Sequence, residues 1–215
     1  MKIAILGTGD VGLHLASSLV GLGQEVMVGS RTAENAKATE WARATGPKAS
    51  HGTFADAASF GGIVFNCTAG SVSLEALEMA GAQNLKGKVL IDVSNPLDFS
   101  RGMPPTLTVS NTDSVGEQIQ RKFPDARVVK ALNTMRHDLM TNPSLVPGHH
   151  DAFVCGNDAV AKAEVIRILK EWFGWKSVID VGDITGSRGL EMILPLWLRL
   201  SQVYNWAPFN FKIVR

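Results

Sequence analysis

The chain is poor in several kinds of residue that would each announce a chemistry. Two cysteines occur in 215 residues, Cys67 and Cys155, each closing an apolar run (IVFNC and AFVC). A disulfide framework is therefore not expected, and two buried thiols suit a reducing compartment. Tyr204 is the single tyrosine, which removes the Tyr-x-x-x-Lys pair that many reductases use to handle protons. Cys-x-x-Cys, His-Glu-x-x-His and Gly-x-Ser-x-Gly patterns are missing too, so neither zinc hydrolysis nor a nucleophile elbow is indicated. Net charge is only +1, too little to draw the chain to nucleic acid or to an acidic membrane surface. No apolar run approaches the ~18 residues that would cross a bilayer. Met1–Gly7 reads as a strand rather than a secretory leader, and a cytoplasmic protein is expected.

What is present is an alternation of short apolar strands with longer helical patterns, the mark of an α/β doubly wound (Rossmann) parallel sheet. Strands are predicted at Lys2–Leu6, Glu25–Val28, Ile63–Cys67, Val89–Asp92 and Val128–Lys130. Gly12, Leu15, Ala16, Leu19 and Val20 fall on one helix face, stopped by Gly21 and Gly23. Further helices are predicted over Ala33–Thr45, over Ser71–Ala82, and from an Asp113-Ser114 cap to about Phe123. Beyond Arg136 the texture changes. A loop-rich stretch leads to a second β–α–β pattern: strand Asp151–Cys155, helix Asp158–Trp172, strand Ser177–Asp180. An apolar segment from Leu190 to Trp206, interrupted at Pro195, follows. We thus expect a Rossmann domain over residues 1–136 and a small C-terminal α/β domain over 137–215.

Directly after the first strand stands Gly7-Thr8-Gly9-Asp10-Val11-Gly12, a GxGxxG that opens a helix. The first glycine makes the turn, the second lets backbone approach a pyrophosphate, and the third lets helix and strand pack closely. An NAD-preferring site would place a carboxylate at the end of the second strand, roughly 20 residues on, for the ribose hydroxyls. This chain reads Val28-Gly29-Ser30-Arg31-Thr32 there, with Lys37 following. A guanidinium matches a phosphate's oxygens, and the missing acid removes repulsion, so NADP(H) is the expected cofactor.

Other candidate residues lie where strands end: Thr68 and Ala69 after the third, Ser94-Asn95-Pro96 after the next, and Ala131 to Asn133 after the fifth. Lys130 reads as a structural or lining cation, and His137 as a weaker candidate proton donor. His149-His150 has no third ligand at metal spacing. No residue stands out as catalytic by itself and no metal set is expected. Hydride transfer between two flat redox rings asks chiefly for positioning, and a Rossmann chain without an evident proton-handling group suits it.

The blocks GTGDVG, VMVGSR, DVSNPL, VVKALNTM, VCGND and DVGDITGSRGLE, in this order and over nearly the whole chain, resemble the coenzyme F420-dependent NADP oxidoreductases. DVSNP and the KAxN motif are also similar to the oxidoreductase domain of the STEAP metalloreductases. The resemblance implies a homodimer and a flavin or deazaflavin (coenzyme F420, or FMN or FAD) set against the nicotinamide in an interdomain cleft, with residues 137–215 serving that second-substrate cleft and the dimer contact. By position it puts Thr8, Gly9, Asp10 and Val11 at the pyrophosphate and Ser30 and Arg31 at the 2′-phosphate. Thr68, Ala69, Ser94, Asn95 and Ala131–Asn133 would surround the nicotinamide. The chain departs from that pattern at Asn35, where a lysine is usual, and at Thr68-Ala69-Gly70, where a proline-bearing segment is usual. Two other readings stand beside it: a reductase of a small C=N or C=O substrate, and a non-catalytic NADP(H) sensor.

Overall fold

The computed structural model describes all 215 residues. Strands β1 (Lys2–Leu6), β2 (Glu25–Ser30), β3 (Ala49–Thr53), β4 (Ile63–Asn66) and β5 (Val89–Asp92) are followed by a small hairpin, β6 (Leu97–Asp98) and β7 (Thr106–Leu107). Strands β8 (Arg127–Ala131), β9 (Asp151–Gly156) and β10 (Ser177–Asp180) complete the set. Apart from the hairpin they form one eight-stranded sheet of order β10-β9-β8-β5-β4-β1-β2-β3. Every neighbouring pair is parallel except β8 and β9.

The sheet is double-faced because its strands are apolar on both sides, as buried parallel strands must be. On β1, Ile3 and Ile5 face one layer while Ala4 and Leu6 face the other. The first layer holds α1 (Asp10–Gly21), α2 (Ala36–Thr45), α7 (His137–Thr141) and α8 (Ala159–Glu171), through residues such as Leu15, Leu19, Trp41, Leu139 and Val165. The second holds α3 (Phe54–Phe60), α4 (Ser73–Ala80), the short α5 (Ala82–Leu85) and α6 (Val115–Lys122), through Ala57, Leu77, Leu85 and Ile119. Helices α9 (Ser187–Met192) and α10 (Leu194–Val203) follow β10. None is long and apolar enough to cross a membrane.

Local signals set most boundaries. Asn35 and Ser114 cap α2 and α6, each side chain accepting from the backbone N–H three residues on, so α2 starts at Ala36 rather than Ala33. A Thr53–Asp56 capping box starts α3. Strand β3 and helix α3 were not foreseen. Ala-Ser-His-Gly-Thr lacks the β-branched apolar run of a central strand, and as the sheet's edge β3 has no second neighbour to demand one. The expected boundary near residue 136 falls between two strands of the same sheet, β8 and β9, where the strand direction reverses. The β9–α8–β10 unit keeps its own pair parallel while extending the sheet beyond β8.

Candidate functional site

Strand order reverses about β1, whose neighbours are β2 and β4, and the crevice at such a switch point is where doubly wound sheets hold ligands. The glycines that build this crevice have separate duties. Gly7 has φ +120°, and a Cβ on it would come within 2.8 Å of the Cys67 carbonyl oxygen. A Cβ on Gly12 would lie 2.3 Å from the Gly7 carbonyl oxygen, so only glycine lets α1 approach the turn. A Cβ on Gly9 would meet nothing within 4 Å. Its bareness serves no protein packing and leaves open space over the turn. Gly9 also heads α1 without any side-chain cap, so the first-turn N–H groups and the helix dipole remain available to an anion.

Two adjoining clefts open from this turn. The first, of about 350 Å³, is lined by Gly7, Thr8, Gly9, Ser30, Arg31, Asn35, Phe54, Cys67, Thr68, Ala69, Val72, Glu75, Ala76 and Met79. The second, of about 470 Å³, is lined by Val11, Cys67, Thr68, Ala69, Ser71, Val93, Ser94, Asn95, Leu97, Asp98, Phe99 and Thr108. Cys67, Thr68 and Ala69 belong to both and form the shared floor. Neither cleft is lined by residues 137–215.

At the rim of the first cleft Arg31 is exposed and engaged in no salt bridge, while Ser30 is buried with its hydroxyl donating to the Thr32 carbonyl at 2.5 Å. Thr32 itself is exposed and outside both linings. Lys37 is exposed on α2 and outside the lining. Asn35 takes a place in the wall and caps α2 as well. Asp10 is exposed on the first turn of α1, outside both linings. Sequence reasoning did not reach Val72, Glu75, Ala76 and Met79, which enter the wall from the helical turn 70–72 and α4, or Leu97, Asp98, Phe99 and Thr108 around the hairpin. The i, i+4 spacing of Glu75 and Met79 put them on one helix face, but nothing in the sequence said which face met the crevice.

Pro96, Ala131 and Asn133 are buried and outside both linings, and the structure sets them behind the wall instead of in it. Asn133 reaches the cleft through a neighbour: its Nδ2 donates to Asn95 Oδ1 at 2.8 Å, and Asn95 Nδ2 donates to the Asn133 carbonyl at 2.9 Å. The Thr68-Ala69-Gly70 segment also has its reason. Gly70 N–H donates to the Asn95 carbonyl at 3.0 Å, and a Cβ on Gly70 would lie 2.4 Å from that oxygen. His137 lies on α7 with its ring 5.1 Å from that of His14, away from both clefts. His150 is hydrogen-bonded to the Pro143 carbonyl at 3.0 Å and to Asn210 at 2.9 Å.

Beneath the second cleft runs a buried polar chain. Lys130 Nζ sits 2.8 Å from Asp92 Oδ2, 2.8 Å from Glu191 Oε1 and 2.6 Å from the Ser94 carbonyl, using all three of its donors. Burial disfavours the ammonium, yet Asp92 and Glu191 outweigh it and move its pKa upward, so Lys130 is a fixed cation and no general base. Asp92 Oδ1 accepts from Ser94 Oγ at 2.7 Å and Asn66 Nδ2 at 2.9 Å, and Asn66 Oδ1 accepts from Thr68 Oγ1 at 2.7 Å. Two titratable groups line the second cleft. Burial, then the Asp92 charge, pushes the Cys67 thiol far up, so it stays protonated and a poor nucleophile. Hydrogen bonds from the Ser100 backbone hold the Asp98 carboxyl below its ordinary range, so it carries no proton to give near neutrality.

With this geometry in place, likeness to known proteins has a physical footing. Residues 2–96 match the family model described as NADP oxidoreductase, coenzyme F420-dependent. The F420-dependent NADP reductase of Methanothermobacter marburgensis is 31% identical over 218 residues, covering 94% of this chain and 92% of that one. This chain belongs to the coenzyme F420-dependent NADP oxidoreductase family. It is an NADP-dependent reductase of that family, with the Rossmann-type sheet described above. A crystal structure from Arthrobacter sp. FB24, provisionally assigned as an F420-dependent NADP reductase, superimposes with a TM-score of 0.94 at 52% identity over 100% of both chains. The rat metalloreductase STEAP3 is 31% identical over 91% of this chain, which spans only 38% of that protein's length.

The glycine geometry separates two substitutions of equal chemical size. Gly9→Ala will leave the midpoint of urea unfolding nearly unchanged, because its methyl meets only open space. It will weaken NADPH by roughly tenfold or more, the equivalent of one good contact, because that space is the ligand's. Gly12→Ala will lower the unfolding midpoint itself. Calorimetric titration beside urea melts checks both, and an NADPH affinity unaffected by Gly9→Ala would show that the turn holds no pyrophosphate.

Proposed function

We propose that this protein passes a hydride between an NADP(H) nicotinamide seated in the second cleft and a flat, ring-shaped acceptor of the flavin or deazaflavin class (coenzyme F420, or FMN or FAD) laid against it. The carrying observation is the lining of this cleft: small residues at the glycine turn and strand ends, apolar Val11, Val93, Leu97 and Phe99, and no histidine, lysine or tyrosine among them. Ketone or imine reduction calls for a proton donor beside the acceptor, whereas ring-to-ring hydride transfer needs chiefly alignment.

In this reading Gly7, Thr8, Gly9 and the first turn of α1 hold the pyrophosphate by backbone N–H groups. Asp10, Val11 and Gly12 supply that turn. Arg31, with Ser30, Thr32 and Asn35 shaping the loop, grips the 2′-phosphate, and Lys37 adds positive potential from α2. Thr68, Ala69, Ser94 and Asn95 seat the nicotinamide, whose chemistry when bound is to give or take a hydride at its ring carbon. Val11, Val93, Leu97 and Phe99 supply apolar surface and exclude water from the ring faces. Residues 137–215 brace these walls from behind and supply a contact to a second copy. Leu196, Val203, Tyr204, Trp206, Ile213 and Val214 are all exposed there, the kind of apolar surface that a subunit contact covers. The unpaired thiols of Cys67 and Cys155 support a cytoplasmic setting.

Three outcomes test this. Arg31→Ala will weaken NADPH about 10- to 100-fold, the worth of charge-assisted hydrogen bonds, while NADH stays nearly unaffected. Equal losses for both dinucleotides would remove the 2′-phosphate assignment. In stopped-flow mixing with F420, FMN and FAD in turn, absorbance of the reduced nicotinamide will decay with one acceptor and not with buffer. Tight NADPH binding without turnover on any of them would return the sensor reading. Light scattering will give twice the monomer mass, and a monomer at micromolar concentration would sink the dimer.

A further inference from the structure

Lys130 and Asn133 are both fully enclosed, and both hold the same short stretch of cleft wall. Lys130 Nζ donates to the Ser94 carbonyl at 2.6 Å, and Asn133 exchanges two hydrogen bonds with Asn95. Their other ends meet consecutive residues of α9. Lys130 pairs with Glu191 at 2.8 Å, and Asn133 Nδ2 donates to the Leu190 carbonyl at 2.8 Å. Glu191 is itself pinned, its two oxygens accepting from the backbone N–H groups of Val115 at 2.9 Å and Gly116 at 3.1 Å at the start of α6. Two parallel relays therefore run from one helical turn to one pair of cleft residues: Glu191–Lys130–Ser94 and Leu190–Asn133–Asn95.

Backbone between the relays is held in a shape it would not choose. Leu132 has φ +63° and is buried, an uncommon conformation for a residue with a Cβ that persists only when its surroundings over-determine it. This left-handed residue turns the chain after β8 so that Asn133 doubles back to Asn95. The bracing also leaves Asn95 partly unspent. Of its amide's two N–H donors and two lone pairs, one of each is used by Asn133, and Asn95 is half-buried in the cleft wall. One N–H and one lone pair remain, the complement of a primary carboxamide.

We propose that Lys130 and Asn133 are positioning residues: without touching the cofactor they fix Ser94 and Asn95 as the seat of the nicotinamide carboxamide, with the Leu190-Glu191 turn of α9 as their anchor. The proposal rests on the reading that the nicotinamide lies in the second cleft. It assigns to the C-terminal segment an effect on the redox end of the cofactor and none on its phosphate end, which is held some way off by α1 and Arg31.

The test compares two ligands that share the phosphate end. Calorimetry with NADPH and with 2′,5′-ADP, which lacks the nicotinamide, is run on the wild type, Asn133→Leu and Lys130→Met. Asn133→Leu removes the side-chain relay without stranding a charge. It will weaken NADPH about five- to tenfold, roughly the loss of one hydrogen-bonded contact, and change 2′,5′-ADP by less than about twofold. Lys130→Met, if it folds, will show the same split. If it does not fold, Asn133→Leu alone decides. Parallel losses for both ligands would mean a merely structural role, and unchanged NADPH binding would mean no role; either overturns the proposal. The wild type tells the two layers apart. If it binds NADPH no better than 2′,5′-ADP, the nicotinamide has no seat, and the cleft assignment falls with the proposal. A clear wild-type preference that survives Asn133→Leu overturns the relay alone.

Discussion

An ammonium group buried among two carboxylates and a carbonyl holds the working edge of this sheet in place. Lys130 is at the end of β8, Asp92 at the end of β5, and Glu191 on α9, so the cation joins two strands and the C-terminal helical segment at one point. Such a cluster is not a stabiliser in the simple sense, since removing charges from water costs several kcal/mol per ion and an apolar replacement of similar shape is often no worse. Its force is conditional. Once the fold has enclosed it, loss of one partner strands a charge, at about 3–5 kcal/mol, so the geometry around it is obligatory. Glu191 exceeds the charge balance of the trio by one negative unit, and the N-terminus of α6 compensates with two backbone N–H groups and its dipole.

The same edge explains why the site is built from unequal parts. Around the glycine turn side chains are absent and backbone N–H groups stand free. Around Ser94 and Asn95 the wall is made of side chains and carbonyls that buried neighbours hold at fixed positions. A phosphate, strongly charged and tolerant of approach angle, asks only for free N–H groups and a guanidinium. A nicotinamide that must present one carbon to an acceptor demands a wall whose members do not move, because a displacement of about 1 Å can cost about 100-fold in rate. Buried hydrogen bonds from Lys130 and Asn133 give the Ser94-Asn95 wall that fixity.

Much of the Rossmann half was legible because each of its signals is local. The glycine spacing, the apolar alternation of β1 and the absent acid after β2 all sit within thirty-odd residues, and each has one dominant physical meaning. Strand β3 was not legible because an edge strand needs little hydrophobicity, and the 97–98 and 106–107 hairpin because two-residue strands leave no pattern. Asn133 was chosen as a cofactor-lining residue on position alone. The structure buries it and gives it a carbonyl on α9, two facts that depend on a helix more than fifty residues away. Lys37, chosen for its charge, stays in solvent beyond the cleft, while Asn35, which sequence reasoning met only as a departure from a pattern, stands in the wall.

By itself the sequence determined strands β1, β2, β4, β5 and β8, the glycine turn and the absence of an acid after β2, because residues adjacent in sequence make these, under rules of hydrophobic period and backbone freedom. Tertiary structure alone decided what surrounds the redox end: which face of α4 meets the crevice, that β9 joins β8 antiparallel, and that Leu190 and Glu191 arrive behind Ser94 and Asn95. The reason is one of range. A turn or a cap is satisfied within a few residues of itself, whereas a buried lysine finds its counter-charges only after three distant segments have closed over it.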